Sequence, residues 1–271
     1  MTIEQLAKKV KEEKKIECYK INAEKKENLS IFESKFGGVP YWDFKEDYPR
    51  NEKGENLFLL AQINFEEESF NDERLPGKGL LQFFISCDDL YGMDFDKLDS
   101  QKNYRVVYHE NINKDINEND IKEKGVKPLS EINDKYMAPF MDSYKITFKK
   151  DESNINAMNL DFTKEVSKVL KESFNEDIPK DKVYDYLNGL NEDWYEFFPG
   201  FGHLLFGYPS FTQYDPRETN KDYERYDTLL FQIDSEDDIL WGDSGVANFF
   251  INEKDLLNKD FSKILYNWDC Y

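Results

Sequence analysis

LLAQINFEE at Leu59–Glu67 returns as LLFQIDSED at Leu229–Asp237, and GLLQFFISCDDL at Gly79–Leu90 returns as GVANFFINEKDL at Gly245–Leu256. The second match runs on without a gap to Asp94-Phe95 and Asp260-Phe261. Upstream of the first, Phe36-Gly37 stands opposite Phe206-Gly207 at the same spacing, and Pro49-Arg50 opposite Pro216-Arg217 with a small shift. Self-similarity of this kind reads as an internal duplication, and it constrains architecture more tightly than residue propensities do. The expected fold class is α+β. Two β-rich repeats, about 28–110 and about 196–271, are expected to share one continuous core as a single domain, with a helical middle insert at about 111–195.

Within that frame LFLLAQINF and LLQFFIS read as strands separated by the LPGKG turn, with YRVVYH as a third strand and ILYNWDCY as its counterpart. SKFGGVPYW, with two glycines and a proline, reads as a turn-rich lead-in. Neighbouring residues of a strand point to opposite faces. Phe83-Phe84 and Phe249-Phe250 therefore predict strands covered on both faces, one by the partner layer and one by helices. Ile3, Leu6, Ala7 and Val10 recur at helical spacing and predict an amphipathic N-terminal helix, slightly basic and docked by charge as well as by its apolar stripe. In the insert, ITF within Tyr144–Lys149 reads as a strand. A helix begins near Leu160 with Asp161 as N-cap and Phe162, Val166, Val169, Leu170 and Phe174 as its stripe. Val183, Tyr186, Leu187 and Leu190 predict a second helix ending near Gly189.

The chain of 271 residues carries 36 basic and 56 acidic side chains, a formal charge of −20. Such a surface repels phosphate backbones and argues against nucleic-acid binding, while it suits a basic partner. The aromatic complement, 22 Phe and 17 Tyr, provides large buried areas per residue. Cys18, Cys87 and Cys270 stand far apart, which argues against a disulfide framework or a structural zinc site. MTIEQLAKKVKEEKK lacks the apolar centre of a signal peptide, and no run approaches a membrane span, so the expected location is cytoplasmic.

Motifs with chemical meaning are few. WGDSG at Trp241–Gly245 invites a serine-nucleophile reading, but Gly245 aligns with Gly79, which makes it the turn before the repeated FFI strand. Only two histidines, His109 and His203, exist to serve such a serine, and neither lies in a catalytic context. DINENDIKEKGV at Asp115–Val126 lacks the glycine and the terminal glutamate of a calcium loop. Gln62 and Gln232 interrupt apolar strands at matching positions. A buried amide needs partners, so they either satisfy each other or nearby backbone, or they form the polar floor of a pocket. Arg50 and Arg217 each follow a proline and are suited to a ligand carboxylate or to clamping an acidic loop. His203 lies among glycines and aromatics, as scaffold or as base.

FGGVPYW, LLAQINF, LPGKGLLQFF, GHLLFGYPSFTQYDPR, LLFQID, WGDSGVANFF and DFSKILYNWDCY together resemble the YwqG-like family, a bacterial domain of unknown function. The resemblance covers most of the chain outside the insert and implies no established activity, cofactor or catalytic residue. Some relatives are associated with bacterial toxin systems, so it implies an immunity-like role by association rather than by mechanism.

The expected function is a non-enzymatic cytoplasmic binding protein without a cofactor or metal, masking a basic protein partner. The expected contact surface is the loop that opens the second repeat. His203, Tyr208, Gln213, Tyr214 and Arg217 lie there, bordered by Trp241 and Asp243, with Arg50, Gln62 and Gln232 as further candidates. The alternatives are a hydrolase or other small-molecule enzyme using His203, Asp243 and Arg217, and a small-ligand sensor.

Overall fold

The computed structural model describes residues 1–68, 70–132, 137–200 and 202–271. α1 (Ile3–Glu13) runs directly into β1 (Lys15–Lys25), followed by β2 (Lys35–Phe36), β3 (Phe58–Asn64), β4 (Leu80–Ile85) and β5 (Tyr104–His109). A short α2 (Glu118–Glu123) precedes β6 (Tyr144–Asn154), after which come α3 (Phe162–Phe174) and α4 (Val183–Leu190). β7 (His203–Phe206), α5 (Pro216–Thr219), β8 (Thr228–Asp234), β9 (Val246–Ile251), α6 (Glu253–Leu257) and β10 (Leu265–Asp269) follow. The fold is α+β. All ten strands form one sheet in the order β10-β9-β8-β7-β1-β6-β2-β3-β4-β5, with antiparallel neighbours.

The centre of the sheet is the pair β1 and β6, matched over eleven residues from Lys15↔Asn154 to Lys25↔Tyr144. Each crosses over: β1 also pairs with β7, and β6 with β2. The segment 111–195 thus contributes a central strand as well as its helices, and ITF is the start of that strand. Charged side chains hide β1 and the rest of β6 in the sequence. Lys15–Glu152, Lys20–Asp151 and Lys150–Glu17 ion pairs lie across them at 2.8, 2.9 and 2.9 Å.

β3 with β4, and β8 with β9, follow the same plan. Gln62 stands opposite Gln82 and Gln232 opposite Asn248, and the register breaks between Leu59 and Ala61 in one pair and between Leu229 and Phe231 in the other. Each break is a bulge, which locally increases twist. Gly79 and Gly245 precede β4 and β9 where the chain passes very close to an edge strand. A Cβ at Gly79 would collide with His109 O, and one at Gly245 with Asp269 O.

Every residue of LLQFFI and VANFFI is buried. On the inner face Phe83 packs on Phe231 and Phe249, with ring centroids 4.7 and 5.0 Å apart, and Tyr104 on Tyr266 at 5.0 Å. One apolar core therefore joins strands from both ends of the sheet. The outer face refines an expectation: loops cover it together with two short helices, not the long ones. Phe84 lies against Trp42 and Tyr48 in a cluster that includes Ile121 of α2, and Phe250 lies under Phe211 and the guanidinium of Arg217 on α5. The longer helices α1, α3 and α4 bury their stripes against each other. Ile3, Leu6, Ala7 and Val10 of α1 join Phe162, Val166, Val169 and Leu170 of α3 and Val183 and Leu187 of α4. Phe174 is only partly buried at the margin of this cluster.

Thr2 and Gln5 form a reciprocal capping box that starts α1. Lys14 reaches Glu165 at 2.6 Å, so charge does contribute to docking α1 on α3. Asp161 occupies the N-cap position of α3, but its carboxylate bonds Lys164 Nζ rather than a backbone N–H. Its backbone, at ψ 2, is not in the extended conformation that aims a capping oxygen at the first turn.

Candidate functional site

The loop between β7 and α5 is held by polar pegs that rise from the outer face of the sheet. Gln232 Oε1 accepts Ser210 N at 2.8 Å, and its Nε2 donates to Gly202 O. Asn248 Nδ2 donates to Ser210 O at 2.8 Å. Asp269 accepts Thr212 N and Gln213 N at 3.1 and 2.9 Å. Gln62 does the same for the loop after β2. Its Oε1 accepts Tyr41 N, its Nε2 donates to Ile31 O and Glu33 O, and Gln82 donates to Tyr41 O. Gln62 and Gln232 do not meet each other; each is satisfied within its own half.

The two arginines have different surroundings. Arg217 is buried, with its Nε and Nη2 on both oxygens of Asp215, Nη1 on Tyr226 O, and its guanidinium 4.1 Å from the Phe250 ring centroid. Its fork is occupied, so it clamps an acidic loop residue and has no free face for a ligand carboxylate. Arg50 is exposed and donates to Gly54 O.

His203 is walled in. Asp234 N donates to its Nδ1 at 2.9 Å, so the neutral ring carries its proton on Nε2, which lies 3.3 Å from Glu236 Oε2 without good hydrogen-bond geometry. Burial pushes its pKa down to about 4. Trp241 is fully buried against Tyr91 and Trp268, which makes it core rather than contact surface. Asp243 is exposed on the turn before β9. Among the described residues no hydrogen bond or ion pair joins His203, Asp243 and Arg217 to one another. Tyr208 leans towards the helical cluster while its N–H donates to Ser153 Oγ. Gln213 donates to Cys270 O, and Tyr214 is 53% exposed.

Two clefts flank this loop. The larger, about 520 Å³, has Gly202, Ser210, Asp234, Glu236, Ser244 and Tyr271 in its walls. The smaller, about 190 Å³, lies between Phe95 and Asp96 on one side and Gln213, Tyr214, Asn267 and Asp269 on the other. Among the described residues neither wall contains a lysine, arginine or histidine. Burial raises the Asp234 pKa against hydrogen bonds from Gly202 N and Ser235 N, and raises that of Asp269 against those from Thr212 N and Gln213 N. Among the described residues no group of three or more His, Cys, Asp or Glu side chains is placed to hold a metal ion. No described helix is long and apolar enough to cross a membrane.

Of the expected contact residues, the structure brings Gln213 and Tyr214 to the smaller cleft; the larger is lined by Glu236, a neighbour of His203 that is not among them. It turns Arg217, Trp241, Gln62 and Gln232 into scaffold. Phe95, Asp96, Asn248, Asn267 and Asp269 escape sequence reasoning. A signal existed for Asn248: it interrupts VANFFI where Gln82 interrupts LLQFFI. Comparison with curated proteins finds no match. The model of one protein family, described as "Domain of unknown function (DUF1963)", matches residues 34–270, and the chain belongs to that family.

Proposed function

We propose that this is a non-enzymatic binding protein whose acidic clefts, on either side of the 208–217 loop, take hold of a basic protein partner. The observation that carries this reading is the wall chemistry. Two clefts side by side offer Asp234, Glu236, Asp96 and Asp269 and, among the described residues, no cationic side chain. A net charge of −20 adds long-range attraction for a basic partner. The enzyme alternative is less well supported: His203 is buried and Arg217 is saturated by Asp215.

In this reading the chain is an internal duplication, supported by the shared bulge position and by the two pegged loops, on Tyr41 and on Ser210. It stands with the YwqG-like proteins, acts in the cytoplasm of a bacterium, and masks its partner as an immunity protein does. The test is affinity capture from native lysate at low and high salt, with the wild type and with a double variant, Asp96→Lys with Glu236→Lys. Both positions are exposed. Basic polypeptides are expected with the wild type, weakened by salt and lost with the variant. Equal recovery by both proteins, or no basic polypeptide above a control of equal charge, overturns the reading.

A further inference from the structure

Phe95 is 71% exposed and Tyr214 53% exposed, yet both belong to the wall of one narrow cleft with Tyr223 and Trp268. Singly exposed rings are ordinary; two that border the same recess, with further rings inside it, mark a contact site. The charge of that recess is one-sided: Asp96 stands at the rim and Asp269 in the wall, with no cation among its described lining residues. Asn267, nine-tenths buried in the same wall, stands opposite Asn248 across β9 and β10.

We propose that this cleft seats a lysine or arginine side chain of a basic polypeptide, with Phe95 and Tyr214 flanking the cation and Asp96 and Asp269 balancing its charge. A cation beside aromatic faces is attracted by the ring quadrupole, more strongly when partly desolvated. The carboxylates set the sign of the guest. The inference rests on the basic-partner reading and places one contact of it.

The test is titration calorimetry of the full chain with a blocked nonapeptide of alternating lysine and serine. The same peptide with glutamate for lysine, and tetramethylammonium chloride, serve as comparisons. Phe95→Ala and Tyr214→Ala remove exposed rings and are expected to fold as the wild type by circular dichroism. Each is expected to weaken lysine-peptide binding roughly fivefold to thirtyfold. Tyr214→Phe, which keeps the ring, should bind as the wild type, and Glu12→Gln, exposed on α1 and in the wall of neither cleft, should shift binding by less than about twofold. If both alanine variants bind the lysine peptide as tightly as the wild type, the seat is elsewhere and only the broader reading stands. If the wild type binds the glutamate peptide equally well, both fall. If tetramethylammonium binds as tightly as the peptide, the cleft takes any cation and its assignment to a polypeptide side chain is overturned.

Discussion

Phe83 and Phe249 meet edge to face with their ring centroids 5.0 Å apart, although they lie on strands near opposite ends of the ten-stranded sheet. The contact is possible because the sheet curls until its two ends share one inner core. Each ring is fully buried, so its removal leaves a cavity in a close-packed core. Phe83→Ala and Phe249→Ala are each expected to cost about 3–5 kcal/mol. Phe84→Ala, on the outer face, is expected to cost a similar amount, since Trp42 and Tyr48 close over it. Denaturant melts with unchanged m-values measure all three. A loss below about 1 kcal/mol at Phe84 would mean that the covering loop opens readily.

Gln232→Leu keeps the bulk of the side chain and removes the acceptor for Ser210 N and the donor to Gly202 O. Unpaired buried backbone groups cost about 1–3 kcal/mol. The expected signature is local as well as global. Amide exchange at Ser210 should accelerate more than exchange within β8, and Tyr41, pegged by Gln62 in the other half, should be unchanged. Uniform acceleration across the sheet would argue that Gln232 supports the strand and not the loop.

β3, β4, β8 and β9 are legible in the sequence because their apolar runs are buried on both faces and recur. β1 is not, and of β6 only the ITF stretch is. KIECYKINAEK and YKITFKKDESN each carry five charges in eleven residues, and their pairing draws on cross-strand ion pairs that only appear once both strands are placed. The candidate site divides in the same way. Gln213 and Tyr214 sit in a loop whose composition already signals binding. Phe95 and Asn267 come together only through the curl of the sheet, and no local pattern announces that. Trp241 illustrates the reverse error: an aromatic in a turn reads as surface, yet the turn folds inward onto Tyr91 and Trp268.

Arg50 and Arg217 look alike in the sequence and should behave differently when replaced. Arg217→Ala leaves the Asp215 carboxylate buried without its partner and uncovers Phe250, for an expected loss of about 3–5 kcal/mol. Arg217→Lys is expected to rescue little, because an ammonium cannot span both oxygens of Asp215 and reach Tyr226 O as well. Arg50→Ala, exposed, should stay within about 0.5 kcal/mol of the wild type. Thermal melts of the three variants decide the matter.

His203 gives the folded state a definite pH dependence. Its pKa is pushed down to about 4 by burial, against an ordinary value of 6.5. Between those values the unfolded chain binds a proton at this ring that the folded chain does not, so stability rises with pH across the window. The contribution is fully present above about pH 6.5 and is lost as pH falls towards 4, for about 3 kcal/mol in all. Asp234 and Asp269 act in the opposite sense, since burial raises their pKa values and favours the protonated folded form. A difference measurement therefore isolates the histidine. His203→Gln keeps an acceptor for Asp234 N and removes the titration. Urea melts at pH 4.5 and pH 7 should show a smaller loss of stability on acidification for the variant than for the wild type. Equal losses in the two proteins would show that His203 becomes protonated without unfolding, with Glu236, at 3.3 Å, accepting the charge.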